Sequence, residues 1–258
     1  AELSPHSDID IMFVHDSKTQ PFITGVVEKV LYTMWDVGLK VGHSTRSIAE
    51  AVEQANKDMQ SKTSLIESRL LVGSRQLYDE FRETLVKKCV RGHEAEYFAA
   101  RMDDQKSRHE KFGDTVYLQE PNVKSGCGGL RDFQNLIWMA FFKYGALTLG
   151  ELRKQGHVEA SEQRQLEAAY DFILRVRNAL HYLTNRPCDA IAIGLQLQLA
   201  NEFGYRQHDV LRRTEAFMRD YYMHSRNIFL LTNTLAERMA IKPPRANVLA
   251  ALLRRGRK

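Results

Sequence analysis

Asp8 and Asp10, two carboxylates separated by one residue, are the side chains with the clearest chemical potential in this chain. On an extended strand, residues i and i+2 project from one face about 7 Å apart, a spacing that suits joint chelation of one or two Mg²⁺ ions. Cations held there bridge the triphosphate of a nucleotide, neutralise charge at the attacked phosphorus and help deprotonate an acceptor hydroxyl. The Ser4-Pro5-His6-Ser7 turn precedes the pair, so the aspartates stand at a strand's entrance, where a ligand reaches them. A third ligand is expected from a neighbouring strand. Glu67, inside Leu65-Ile66-Glu67-Ser68-Arg69-Leu70, is the first candidate, because a charge among apolar residues faces either a metal or solvent, the latter paired with Arg69. Asp58, an acid near a helix end, is the second.

A second constellation runs from Glu120 to Asp132 and contains Lys124, Gly128, Gly129 and Arg131. Glycines permit close backbone approach, and an apolar-periodic helix begins at Leu130, so its free N–H groups together with Lys124 and Arg131 outline an anion site. A tight interdomain turn feeding a capped helix accounts for the same residues equally well. Arg175, Arg177 and His181 share a helix. An Arg followed by a His at this spacing also occurs in a class of helical ribonucleases, but ion-paired arginines and a packed histidine with a satisfied ring nitrogen are the plainer reading. His15-Asp16 and His208-Asp209 lack the additional ligands of a metal phosphohydrolase.

These side chains need elements to hold them. Ile9, Ile11 and Phe13 alternate with Asp8, Asp10 and Met12, which predicts a strand over Ser7–Val14. Phe22, Val26, Val27, Val30, Leu31 and Met34 predict a helix over Pro21–Asp36 with Gly38 as its stop. A strand over Leu39–Thr45 and a helix opened by the Ser47/Glu50 capping box follow. The apolar segment Ser64–Gly73 reads as a strand or a buried helix. From Ser74 the pattern is helical: about Arg75–Lys88, Glu94–Lys111, Leu130–Tyr144, Ser161–Thr184 and His208–Met239. The last places Leu211, Thr214, Phe217, Met218, Tyr221, Ser225, Ile228, Thr232 and Leu235 on one stripe, the spine of a bundle.

Bulk properties narrow the classes. At 258 residues, 43% hydrophobic and 27% charged, the composition is that of a globular chain of about two domains. No apolar run approaches the ~18 residues of a membrane span, and residues 1–5 lack the features of a signal peptide, so the N-terminus reads as a cut end. Three widely spaced cysteines without a Cys-x-x-Cys pair suggest neither a disulfide framework nor a zinc site and fit a reducing cytoplasm. Six of the basic residues behind the +5 net charge lie in 242–258, a stretch without acids, so the rest is near neutral and nucleic acid is not an expected partner.

Four segments carry a resemblance: Glu2–Asp10, Val41–Arg46, Leu65–Gly73 and Glu120–Lys124 with Gly128–Asp132. Together, in this order, they resemble the bacterial PII uridylyltransferase/uridylyl-removing enzymes. The resemblance implies an α+β chain: a polymerase-β-like nucleotidyltransferase mixed sheet, truncated at its N-terminus (1–92), then an all-α helical bundle domain (93–241) and a basic linker tail (242–258). It implies transfer of UMP from UTP, with Mg²⁺, to a tyrosine of the signalling protein PII. Asp8 and Asp10 match the family's metal-binding aspartates, and Ser7, Lys124, Gly128, Gly129 and Arg131 are the expected nucleotide contacts. The family's upstream glycine pair, hydrolase domain and glutamine-sensing domains have no counterpart in these residues, so uridylyl removal and glutamine sensing are not expected of them. The rival expectations are a transferase for another acceptor and a non-catalytic module that binds PII.

Overall fold

A computed structural model describes residues 3–16 and 20–240. Strand β1 (Ile9–His15) pairs in parallel with β2 (Val41–Ser47), Asp10 opposite Gly42, and helix α1 (Gln20–Asp36) connects them. The chain leaves α1 through a left-handed Gly38, φ 82°, whose N–H donates to the Trp35 carbonyl while that of Leu39 donates to Met34. This is the Schellman closure that a glycine at this position permits. A two-stranded sheet is marginal alone, and here each face leans on helices. On the odd-numbered face, His15, His43 and Thr45 line a cavity of about 380 Å³ against Val27, Leu31 and Trp35 of α1. On the even-numbered face, Met12 packs against the core of the helices that follow.

Those helices are α2 (Ile48–Lys57), α3 (Met59–Ile66) and α4 (Arg75–Leu85), the last running into a π-helical turn at Val86–Val90. The Ser47/Glu50 capping box forms as the sequence requires: the Ser47 N–H donates to Glu50 Oε2 at 2.7 Å and the Glu50 N–H to Ser47 Oγ at 3.3 Å. Segment 64–73 is neither a strand nor a helix over most of its length: Ser64–Ile66 end α3, and 67–73 are turn and coil. Asp58 caps α3 by accepting from the Ser61 N–H at 2.7 Å, and the helix carries Leu65 and Ile66 into the core. Leu71 and Val72, which made the segment look like a strand, are exposed.

Helices α5 (Glu94–Lys111), α6 (Leu130–Tyr144), α7 (Leu149–Lys154), α8 (Ala160–Thr184), α9 (Ile193–Glu202) and α10 (Val210–Met239) complete the bundle. Apolar packing bridges the expected boundary at residue 92. Tyr97 of α5 and Trp138, Phe141 and Phe142 of α6 share one core with Val52, Ile66, Phe81 and Leu85, and Tyr97 stacks on Phe142 with centroids 3.7 Å apart. A second core joins α8, α9 and α10, and a third closes α6 and α7 against the end of α10. The α10 stripe is buried from Phe217 to Leu235, but Leu211 at its start is 66% exposed because α10 there extends past its neighbours' core. The architecture is α+β, mostly helical with a small parallel sheet. The basic tail lies outside the described residues.

Candidate active site

The aspartates are placed by a turn bolted to α8. In the turn, the Ser7 N–H donates to the Ser4 carbonyl at 2.9 Å and the Ser4 N–H to Ser7 Oγ at 3.2 Å, so the Ser7 hydroxyl is engaged within the turn itself. Ser4 is buried, and Arg177 Nη1 donates to its Oγ at 3.1 Å. The His6 N–H donates to His181 Nδ1 at 3.1 Å. Arg177 also holds Asp189 at 2.7 Å through Nε, and the Asp189 carbonyl accepts from the Val123 N–H at 2.8 Å. One arginine thus ties the strand's entrance, α8 and the Lys124 loop together. The expected ion pair of Arg177 forms. His181 is buried with one ring nitrogen satisfied; its Nε2 lies 3.7 Å from Asp189 without a hydrogen bond.

Asp8 and Asp10 both lie exposed, and among the described residues neither accepts a hydrogen bond or forms an ion pair. Asp10 lies over Gly42: a Cβ there would stand 2.5 Å from Asp10 Oδ1, so the neighbouring strand leaves room for the carboxylate by having no side chain. Asp10 shares its strand face with Met12, which turns it toward the helical cores rather than toward α1. Asp8 acts electrostatically on Lys124 across this space.

Lys124 and Arg131 are half-buried cations without an ion-pair partner among the described residues. Burial pushes the Lys124 ammonium below its ordinary value, Arg177 adds to this, and Asp189 and Asp8 oppose it. Burial also lowers the Arg131 guanidinium, assisted by Arg101 and Arg108. Arg131 and Arg101 lie over the Trp138 ring, 5.1 and 4.7 Å from its centroid. Two neighbouring half-buried cations with no ion-pair partner among the described residues are a place where an anion would be welcome.

The helix start itself is not that place. The first N–H groups of α6, expected to be free, are taken by internal acceptors: Leu130 by Val123, Arg131 by Lys124, Asp132 by Gly129 and Gly128 by Asp132 Oδ2. Gly128 and Gly129 are buried. A Cβ on Gly128 would strike the Ser225 carbonyl on α10, and one on Gly129 would stand 2.9 Å from the Lys124 carbonyl. Their small size serves helix packing and the tight turn. Glu67 also departs from expectation: it caps the C-terminus of α3 rather than sitting on a strand, and its charge acts on Tyr97, Arg101 and Arg131. Asp58 is committed to its helix cap, which lowers its carboxyl below the usual range through the Ser61 hydrogen bonds. Asp209 likewise caps α10. Gly42, Ser4 and Asp189 are positioning residues that no motif marks; only Gly42, a glycine inside a strand, carries a signal in the sequence.

A family model described as GlnD PII-uridylyltransferase matches residues 96–236, more than half of the chain. The chain belongs to the PII-uridylyltransferase family. Among curated relatives, a bifunctional uridylyltransferase/uridylyl-removing enzyme of a Bradyrhizobium species is 38% identical over 237 residues, 92% of this chain and 26% of the relative. Enzymes of the same name from Rhodopseudomonas palustris and Azospirillum brasilense are 37% and 36% identical, over 92% and 98% of this chain. This family member therefore spans about a quarter of the length of those relatives, 26% to 28%. Its family match covers α5 to most of α10, the part that supplies Lys124 and Arg131. No helix among the described residues is long and apolar enough to cross a membrane.

Proposed function

We propose that this chain contributes the cation-binding and phosphate-facing side of a nucleotidyl-transfer centre, which moves UMP from UTP to a tyrosine of PII. The observation that carries the reading is the pairing of exposed carboxylates with half-buried cations: Asp8 acts on Lys124, Asp10 shares the strand face that leans on the helical core, and neither Lys124 nor Arg131 has an ion-pair partner among the described residues. In the reaction, the tyrosine oxygen bonds to the α-phosphorus of UTP, pyrophosphate leaves, and the phenolic proton is released. Asp8 and Asp10 fit Mg²⁺: both offer hard oxygen donors, and Gly42 keeps space at the second of them. Mg²⁺ bound there would neutralise charge on the phosphates and make the attacking hydroxyl easier to deprotonate. Lys124 and Arg131 supply fixed positive charge to the phosphate oxygens, and their partial burial strengthens that attraction. Arg177, Ser4 and His181 hold the strand's entrance against α8 so that the two sets of charges stay in register.

Labelled UTP and Mg²⁺ with PII and with unrelated acceptor proteins test the reading. The expected result is label on PII alone, lost in Asp10→Asn and strongly reduced in Arg131→Gln. Equal labelling of unrelated proteins would point to another acceptor. Binding of PII with no shift in melting temperature on adding UTP and Mg²⁺ would favour a non-catalytic module.

A further inference from the structure

We propose that His109, Asp114 and Cys127 form a binding site for a zinc-class divalent cation, separate from the aspartate pair, which fastens the two ends of the α5–α6 connection. A His109 ring nitrogen, an Asp114 carboxylate oxygen and the Cys127 sulfur all lie within 4.8 Å of one another. Nitrogen, thiolate and carboxylate donors together suit zinc and its borderline-soft congeners, not Mg²⁺.

The surroundings are built as a metal's would be. His109 and Cys127 are buried. Asp132 binds His109 Nε2 through both oxygens, at 2.9 and 3.0 Å, while it accepts from Arg108 Nη2 and the Gly128 N–H, each at 2.8 Å. A carboxylate fixing one ring nitrogen orients the imidazole and leaves Nδ1 for a cation, the carboxylate–histidine–metal arrangement. The third donor is brought in by a reversal of the chain. After α5, Gly113 (φ 104°) and Asp114 (φ 46°) adopt left-handed conformations, and the Asp114 N–H donates to the His109 carbonyl at 2.8 Å. Asp114 is exposed, and with three protein donors a tetrahedral ion would take its fourth ligand from water.

The consequence is mechanical. Between Lys111 and Leu130 the chain has no helix or strand, yet this stretch carries Lys124. An ion on residues 109, 114 and 127 closes most of that stretch into a loop and so restrains Lys124. The donors follow no familiar zinc spacing, which is why the cysteine count gave no hint of them.

Stripping the protein with a chelator and titrating it with Co²⁺ alone, then Zn²⁺ alone, tests the site. One equivalent of Co²⁺ is expected to give sulfur-to-cobalt charge-transfer absorption in the near ultraviolet, bleached when Zn²⁺ displaces it. The aspartate pair, having no sulfur, cannot produce that band. Cys127→Ser should abolish it, and Asp114→Asn should weaken binding at least tenfold while the fold persists, because asparagine accepts the left-handed conformation. The doubly substituted Cys89→Ser, Cys188→Ser protein should keep the band. Absence of the band, its survival in Cys127→Ser, or unchanged affinity in Asp114→Asn would overturn the proposal.

Discussion

At residue scale, the proposed site depends on carboxylates that have room and, among the described residues, no competing partners. Asp10→Asn keeps the volume but removes the charge at an exposed position, so transfer should fall at least roughly 100-fold, the scale of losing one charge-stabilising group. Circular dichroism and the melting temperature should stay close to those of the parent. Gly42→Ala asks a sharper question. The added methyl would stand 2.5 Å from Asp10 Oδ1, so it displaces the carboxylate without touching its charge. Displacements of this size cost about 100-fold in rate; a turnover loss below about 5-fold would show that Asp10 is not held against its neighbour. The strand was legible from its period of two, but it begins at Ile9 rather than Ser7, so Asp10 lies on β1 and Asp8 just before it. The glycine's part was not, because register between strands is a tertiary fact. Glu67 was misplaced for the opposite reason: local apolarity at Leu65, Ile66 and Leu70 to Val72 reads alike in a strand and in a buried helix end, and the Asp58 cap decided it.

At the scale of elements, the clamp between the N-terminal turn and α8 is what would aim the carboxylates of the proposed centre. Arg177→Met leaves Asp189, three-quarters buried, without its partner and should cost about 2–4 kcal/mol in a denaturant melt, near the lower end for a broken buried pair. His181 adds a pH dependence. Burial, helped by Arg177, holds its imidazole below the ordinary 6.5, so the fold prefers the neutral ring. The unfolded chain then binds the proton more readily, and stability is full above about pH 6.5 and falls as pH drops below it. His109, raised to about 9, acts in the opposite sense and His224 in the same one, so the test is the difference. In thermal melts between about pH 7.5 and 5.5 the parent should lose more stability on acidification than His181→Gln, and equal slopes would remove the histidine from the account. Among the helices, α5 and α6 appear with the bounds their helical pattern predicted. Helices α7 and α9 went unread. The first is only six residues long, and in the second Leu195, Leu197 and Leu199 alternate like a strand while Gln196 and Ala200 are the residues taken inward with Leu199.

At the scale of the whole molecule, the small sheet and the bundle are not independent bodies. The core that includes Val52, Ile66, Phe81 and Leu85 is completed by Tyr97, Trp138, Phe141 and Phe142 from beyond residue 92. Cutting there would expose large aromatic side chains on both pieces, so residues 1–92 expressed alone should show no cooperative unfolding. In the intact chain, native-state hydrogen exchange should open the slowest amides of α2, α4 and α6 with one common free energy. Two distinct values would mean that the shared core does not couple them. This coupling was invisible to the sequence reading because periodicity reveals that a helix has a buried face but not which partner buries it.

The stacking of Arg131 on Trp138 has an optical consequence. With Trp35→Phe, the indole at 138 becomes the chain's sole tryptophan emitter, and two guanidinium groups lie over it. A phosphate ester that draws one of them off the ring changes the local field at the chromophore, so nucleotide arrival would be readable as a shift in intrinsic emission, with no dye or label attached.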